Sequence, residues 1–141
     1  MIRILIADDH PAILTGLKNM ISKAPDMIVA GESPDGLDVM DKLRQNTYDL
    51  LVLDFEMPHM DGLDVLKELH SHQPGLPVLI ISQHSEDQLA LRLLKAGAAG
   101  FMTKESTGKF LIDAIRLIHS GGKYVSSTLA DQLVENAEHI Y

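Results

Sequence analysis

One apolar stretch of this sequence ends abruptly in a carboxylate. The residues from Leu50 to Leu53 are all apolar, and the run stops at Asp54, four residues before Pro58. A run that is apolar at every position is typical of a parallel strand that helices cover on both faces. Open α/β folds bind ligands beyond the carboxyl ends of such strands, so we expect Asp54 at a binding edge. A single acid in this position is more often a turn or helix cap, so the rest of the chain must decide.

A strand followed by a helix recurs five times along the chain. The short β-forming stretches are 2–7, 27–30, 50–54, 77–81 and 98–102, and apolar residues at helical spacing follow each of them. This alternation predicts a parallel sheet with helices on both faces. We therefore expect a doubly wound α/β domain with the flavodoxin-like strand order 2-1-3-4-5, in which the first and third strands are neighbours.

The apolar positions of the predicted helices indicate which helix face packs on the sheet. In the second helix they are Leu37, Met40 and Leu43, and in the fifth helix they are Phe110, Leu111, Ala114, Ile115 and Ile118. Apolar residues three or four apart share one face, so we expect these side chains to be buried. The fourth helix is expected to begin at an N-cap formed by Ser85.

Composition and charge exclude several classes of function. The chain has 141 residues, enough for one domain, and contains no cysteine, which excludes disulfides and thiolate chemistry. Its net charge of −8, without a basic run, disfavours direct binding of nucleic acid. The first apolar stretch reaches Asp8 too early for a signal peptide or a membrane span. We expect a cytoplasmic domain with no membrane partner.

Polar side chains follow four of the five predicted strands. They are Asp8 and Asp9 after the first strand, Asp54 after the third, Ser82 after the fourth and Lys104 after the fifth. The carboxyl ends of parallel strands meet at one edge, so these groups are expected to converge there. Three carboxylates in one crevice repel each other and favour a hard divalent cation. The sequence therefore predicts a site for Mg²⁺ or Mn²⁺.

Asp54 is the candidate nucleophile of this cluster. The cation and Lys104 would neutralise the oxygens of an incoming phosphoryl group, and Ser82 would donate a hydrogen bond to them. Taken singly, a lysine after a strand is usually solvated and a serine there is usually a cap. Their joint placement on successive strands predicts an aspartyl phosphate. Gln83 and His84 are candidates to act on the water that hydrolyses it.

At these residues the sequence resembles the receiver domain of two-component response regulators, over residues 1–120. The motifs occur in the family's order: Asp8-Asp9, Asp54, Met57-Pro58, Met60-Asp61-Gly62, Ser82 and Lys104. The resemblance implies a CheY-like fold in which Asp54 takes a phosphoryl group from a histidine kinase. It implies self-phosphotransfer and autodephosphorylation only, and no other enzymatic activity.

The resemblance also implies a ligand set for Mg²⁺. Asp9 is implied as a direct ligand, and Asp8 as one that acts mainly through water. Asp54 and the backbone carbonyl of Glu56 complete the implied set.

Ser82 and Phe101 match the positions of a conformational switch in this family. The family often has threonine at the first position and tyrosine at the second. Drawing Ser82 towards a phosphoryl group would vacate space into which Phe101 could turn. We expect this to alter the surface formed by the fourth helix, the fifth strand and the fifth helix, with Leu91, Met102 and Ile112 as candidates for its exposed apolar positions.

His10-Pro11 and the segment 120–126 resemble more specifically the LuxR-type (NarL/FixJ) transcription regulators. These carry a C-terminal helix-turn-helix domain, which this sequence does not contain. Residues 121–141 are therefore expected to be a tail or linker stub towards an absent output domain, with a short helix capped near Ser126. The protein would bind DNA only through that domain. We also expect it to form a homodimer with a second copy of the chain.

Other functions fit parts of the pattern. Haloacid-dehalogenase-like phosphatases place a nucleophile and its acid partner two residues apart after the first strand, where this chain has Asp8-Asp9-His10. A flavodoxin-like flavin or nucleotide binder needs a phosphate loop there, and the acid pair would repel phosphate. A degenerate receiver would lack an acid or the lysine. A stand-alone receiver, acting as a phosphorylation-dependent interaction module, is the alternative to a transcription regulator.

Overall fold

The computed structural model describes residues 1–83 and 87–125, which contain five strands and five helices. The strands are β1 (Ile2–Ala7), β2 (Met27–Ser33), β3 (Leu50–Asp54), β4 (Val78–Ser82) and β5 (Gly100–Thr103). The helices are α1 (Pro11–Ser22), α2 (Gly36–Gln45), α3 (Gly62–His72), α4 (Asp87–Lys95) and α5 (Thr107–His119), with a short 3-10 helix at Lys104–Ser106. No helix in these ranges has the length and apolar character needed to cross a membrane. The predicted cap at Ser85, the role suggested for His84 and the helix expected after Ser126 lie outside the described residues.

The five strands form one parallel sheet in the order β2-β1-β3-β4-β5. This confirms the fold class and the strand order that the alternation of strands and helices predicted. β1 and β3 are neighbours, with Ala7 opposite Leu53. The chain reverses its winding direction between them, so the residues that follow these two strands border the crevice where such folds bind ligands.

Both faces of the sheet are covered, as the continuous apolar run predicted. Every residue of β3 and of β4 is buried. Leu51 and Leu53 belong to an apolar cluster that includes residues of α2, α3 and α4. Leu50 and Val52 belong to a second cluster, which includes residues of α1 and α5. Successive β3 side chains thus enter opposite cores, because strand side chains alternate between the two faces.

The predicted inward faces of α2 and α5 are partly wrong. Leu37 is 54% exposed and Phe110 is 39% exposed, whereas Val39 and Leu111 are buried. Both exposed residues lie in the first turns of their helices, and the buried apolar position follows two residues later in α2 and one residue later in α5. Where apolar residues occupy two adjacent stripes of a helix, periodicity alone does not select the inner one.

A capped helix start fixes the connection that follows Asp54. The Oδ1 of Asp61 accepts a hydrogen bond from the backbone N–H of Asp64 at 2.9 Å, and the Oδ2 of Asp64 accepts one from the N–H of Asp61 at 3.2 Å. This reciprocal capping box satisfies free N–H groups at the start of α3. Gly62 lies against Phe55, and a Cβ at Gly62 would come within 3.1 Å of that ring. The segment is therefore held close to the end of β3.

Candidate functional site

The polar residues predicted at the strand ends converge at one edge of the sheet. Asp8 follows β1, Asp54 and Ser82 are the last residues of β3 and β4, and Lys104 follows β5. The Nζ of Lys104 lies 3.1 Å from the Oδ2 of Asp8 and 3.3 Å from the Oδ2 of Asp54. Neither carboxyl is exposed, and the lysine side chain is 10% exposed. Two carboxyl groups and an ammonium group thus form one buried cluster.

Several atoms of this cluster lack a well-aligned hydrogen bond. The Oδ1 of Asp54 accepts one from the backbone N–H of Glu56 at 3.1 Å. Within the described ranges, the Oδ2 atoms of Asp8 and Asp54 and the Nζ of Lys104 have ionic contacts but no such bond. Unsatisfied buried polar atoms are costly, so the arrangement is better suited to binding an ion than to stabilising the fold.

The electrostatics of the cluster limit the reactivity of Asp54. Burial raises the pKa of Asp54 to about 8, the charge of Asp8 acts in the same direction, and Lys104 opposes both. Burial lowers the pKa of Lys104, but Asp8 and Asp54 outweigh burial and leave that pKa above its usual value. A carboxyl that holds its proton is a poor nucleophile. A further positive charge beside Asp54 would favour the reactive carboxylate.

A histidine that the sequence reasoning did not assign to the site joins the acid pair. The Nδ1 of His10 lies 3.0 Å from an Oδ1 of both Asp8 and Asp9, and the His10 backbone N–H donates to Asp8 at 2.8 Å. One ligand atom from each of Asp8, Asp9, His10 and Asp54 lies within 4.8 Å of the others. This oxygen-rich group fits a hard divalent cation. The sequence carried a signal for His10, since it directly follows the acid pair and Pro11 starts α1 next to it.

Ser82 donates its hydrogen bond to Glu56. The Oγ of Ser82 lies 2.6 Å from the Oε1 of Glu56, a residue to which the sequence assigned only a backbone role. Burial raises the pKa of Glu56, but hydrogen bonds from Ser82 and interactions with Asp54 and the backbone of Gln83 outweigh burial and hold the pKa below its usual value. Glu56 is therefore an ionised acceptor. Its sequence context gave no signal, because the residue lies in a loop and its partner is on another strand.

Phe101, the predicted aromatic switch residue, and Met102, a predicted surface residue, both lie in the core, on opposite sides of the sheet. Phe101 is 7% exposed and belongs to the cluster that contains Leu89. Met102, which was expected to be an exposed surface residue, is 4% exposed, so that prediction is wrong. It enters the other cluster because helices cover both faces of β5. Leu91 and Ile112, the other two candidates, are partly buried.

Comparison with known proteins places most of the chain in one sequence family. A family model described as the response regulator receiver domain matches residues 4–116. Response regulator GacA of Pseudomonas viridiflava is 35% identical over 133 residues, which make up 94% of this chain and 62% of the relative. Response regulator UvrY of Escherichia coli K12 is 29% identical over 94% of this chain and 61% of the relative. The chain thus spans less than two thirds of the length of these relatives.

Solved structures with the same fold are also similar in sequence. A two-component response regulator of the LuxR family from Aurantimonas sp. SI85-9A1 has a TM-score of 0.87 and 29% identity, with 96% of each chain covered. The signal receiver domain of the putative response regulator NarL from Mycobacterium tuberculosis has a TM-score of 0.80 and 32% identity, over 85% of this chain and 97% of that one.

Proposed function

Because this chain belongs to the response regulator receiver domain family, we propose that Asp54 accepts a phosphoryl group from a histidine kinase. The main support is the position of its carboxyl, which is buried beside the acid pair with its Oδ2 3.3 Å from the Nζ of Lys104. In the transfer, an oxygen of Asp54 bonds to phosphorus while the bond from phosphorus to the kinase histidine breaks. The activity is self-phosphotransfer followed by autodephosphorylation, in which water releases the group as phosphate.

Mg²⁺, or Mn²⁺ in its place, is the proposed cofactor. Asp8, Asp9, Asp54 and the backbone carbonyl of Glu56 would hold it, Asp8 mainly through water. When bound, the ion offsets the negative charge of the carboxylates and of the phosphoryl oxygens. The closeness of these carboxylates supports the assignment, because one ligand atom from each of Asp8, Asp9 and Asp54 lies within 4.8 Å of the others.

Lys104 and Ser82 are proposed to bind the phosphoryl oxygens. Asp8 orients the ammonium of Lys104 at 3.1 Å, beside the atom that would carry the phosphoryl group. Ser82 is the last residue of β4, and Asp54 pairs with Ile81, the residue before it, so Ser82 lies at the strand end next to Asp54. As Ser82 turns, Phe101 would move with it and change the surface formed by α4, β5 and α5.

The regulated output is proposed to lie beyond this chain. GacA and UvrY, both named response regulators, are longer than the region matched here, and one structural neighbour is a LuxR-family regulator. We propose that residues 1–120 form the receiver and that 121–141 lead to a DNA-binding domain. The net charge of −8 disfavours direct contact between this chain and DNA, so we propose that DNA is bound through that domain. We also propose that the protein forms a homodimer and is located in the cytoplasm.

Intact mass spectrometry tests the phosphoacceptor function. The chain is incubated with acetyl phosphate in Mg²⁺ or in EDTA, and the mass gain of one phosphoryl group is measured. The gain is expected only with Mg²⁺ and is expected to disappear in Asp54→Asn. Asp61→Asn is a matched control, because Asp61 caps α3 outside the cluster and asparagine also caps helices. A mass gain that survives in Asp54→Asn would reject the proposal.

A further inference from the structure

The hydroxyl of Ser82 and the carboxylate of Glu56 meet at two neighbouring strand ends. Asp54 of β3 pairs with Ile81 of β4, so Glu56 and Ser82 each lie just past this pair. The Oγ of Ser82 donates to the Oε1 of Glu56 at 2.6 Å, and Ser82 is fully buried. This bond therefore lies directly beside the carboxyl of Asp54.

Glu56 is fixed in place and is a strong acceptor. Its backbone N–H donates to the Oδ1 of Asp54 at 3.1 Å, which ties it to the pocket. Its Oε2 is buried and has no hydrogen-bond partner among the residues that the structure describes. A hydrogen bond to a carboxylate is stronger than one between neutral groups. Loss of the Ser82 bond would leave this carboxylate, whose Oε2 is buried, poorly satisfied.

A serine hydroxyl carries a single proton to donate. Ser82 can therefore donate to Glu56 or to a phosphoryl oxygen on Asp54, but not to both at once. We propose that Glu56 is a positioning residue that competes with the phosphoryl group for the hydroxyl of Ser82 and so favours the unphosphorylated state. The inference rests on the proposed function of Asp54, and it gives the side chain of Glu56 a regulatory role.

Binding of an anion at Asp54 must break the bond between Ser82 and Glu56. Glu56→Ala removes this competing acceptor in advance, and we expect it to tighten binding of the phosphoryl mimic beryllofluoride about tenfold, which corresponds to about 1.4 kcal/mol. Glu56→Ala also removes a negative charge, and this alone favours an anion. A double-mutant cycle with Ser82→Ala separates the two effects, because only the competition needs the hydroxyl.

The experiment measures beryllofluoride affinity by calorimetric titration of the full chain in saturating Mg²⁺. Wild type, Glu56→Ala, Ser82→Ala and the double variant form the cycle. The gain from Glu56→Ala is expected to be about tenfold with Ser82 present and less than about threefold without it. Glu56→Gln keeps an acceptor, is expected to give an intermediate gain, and serves if the alanine variant does not fold. Glu105→Ala removes an exposed acid near β5 and is the matched charge control, with an expected change below about twofold.

Equal gains in both backgrounds would overturn the proposal, because Glu56 would then act through its charge alone. No gain in either background would also overturn it. The same four proteins are then unfolded without metal or anion, and the double-mutant cycle is applied to their free energies of unfolding. This detects the Ser82–Glu56 bond itself. If the two substitutions show no energetic coupling in unfolding, that result also counts against the proposal. A further outcome is that unfolding shows coupling between Ser82 and Glu56 while wild type binds no beryllofluoride. That result would reject the phosphoacceptor function of Asp54 and, with it, the competition for the Ser82 hydroxyl.

Discussion

Lys104 places its Nζ 3.3 Å from the Oδ2 of Asp54, and neither side chain is more than 10% exposed. The same ammonium lies 3.1 Å from the Oδ2 of Asp8. A single ammonium cannot neutralise two buried carboxylates, and burial together with the charge of Asp8 raises the pKa of Asp54 to about 8. The properties of this pocket should therefore respond to pH and to divalent cations.

The metal-free protein is expected to lose stability as the pH rises from about 4 to about 8. Folding raises the pKa of Asp54 from 3.8 to about 8, so in this window the folded protein keeps a proton that the unfolded chain has released. The stability that this retained proton contributes is complete below the unfolded pKa of Asp54 and is lost as the pH rises through the folded pKa. The free energy of unfolding falls by at most about 1.4 kcal/mol per pH unit in this range. Urea unfolding in EDTA across this range measures the loss.

Asp54→Asn should be the more stable protein at the alkaline end of this range and should show a shallower dependence on pH. Asp61→Asn should keep the wild-type slope, because that residue lies outside the buried cluster. Identical slopes for wild type and Asp54→Asn would contradict the assignment of the raised pKa to Asp54.

Mg²⁺ is expected to stabilise the folded protein through the acid pair. A ligand that binds only the folded state adds about 2.7 kcal/mol at a hundredfold excess over its Kd. Thermal unfolding in Mg²⁺ and in EDTA measures this shift, which should be largely lost in Asp9→Asn. Asp41→Asn, which changes an exposed acid of α2, should keep it. An equal Mg²⁺ effect in Asp9→Asn would place the ion elsewhere.

The fold was predictable because its main signals are local in the sequence. The run from Leu50 to Leu53 enters two cores, as a run that is apolar at every position indicates. The orientation of the helices was less predictable, and Leu37 and Phe110 are exposed where periodicity favoured burial. Rotation of a helix about its axis depends on the surface that it meets, and that surface is formed by distant segments.

In the candidate site, too, features set by local sequence were predictable and features set by distant segments were not. Asp54 and Lys104 were predicted to converge because parallel strands bring their carboxyl ends together. The bond from Ser82 to Glu56 and the contacts of His10 with the acid pair depend on side-chain conformations that neighbours on other strands select. The family resemblance implied a role for the backbone carbonyl of Glu56 but gave no direction for its side chain.

His59 offers a test of the loop after β3. Its φ of 72° is left-handed, a conformation that costs side chains other than glycine about 1–3 kcal/mol. His59→Gly is therefore expected to stabilise the fold by roughly 0.5–1 kcal/mol. The matched substitution His70→Gly, within α3, should destabilise it by about 1 kcal/mol. Chemical unfolding of both variants measures the difference, and destabilisation by His59→Gly would contradict the prediction.

Beryllofluoride with Mg²⁺ is expected to change the self-association of the chain. As Ser82 turns to the anion and Phe101 follows, the surface around Leu91 and Ile112 should change its affinity for a second copy. Sedimentation velocity over a range of protein concentrations measures the assembly state. Ser82→Ala should weaken the change while Asp54 is still phosphorylated. The same assembly state with and without the mimic would argue against this coupling.

The central claim, that Asp54 carries the phosphoryl group after an Mg²⁺-dependent transfer, is tested most directly by locating the modified residue. The chain is treated with acetyl phosphate, the acyl phosphate is reduced with borohydride to homoserine, and peptide mass spectrometry identifies the altered position. We predict homoserine at Asp54 in Mg²⁺ and at no aspartate in EDTA. Homoserine at another aspartate, or at Asp54 to the same extent in EDTA, would contradict the claim.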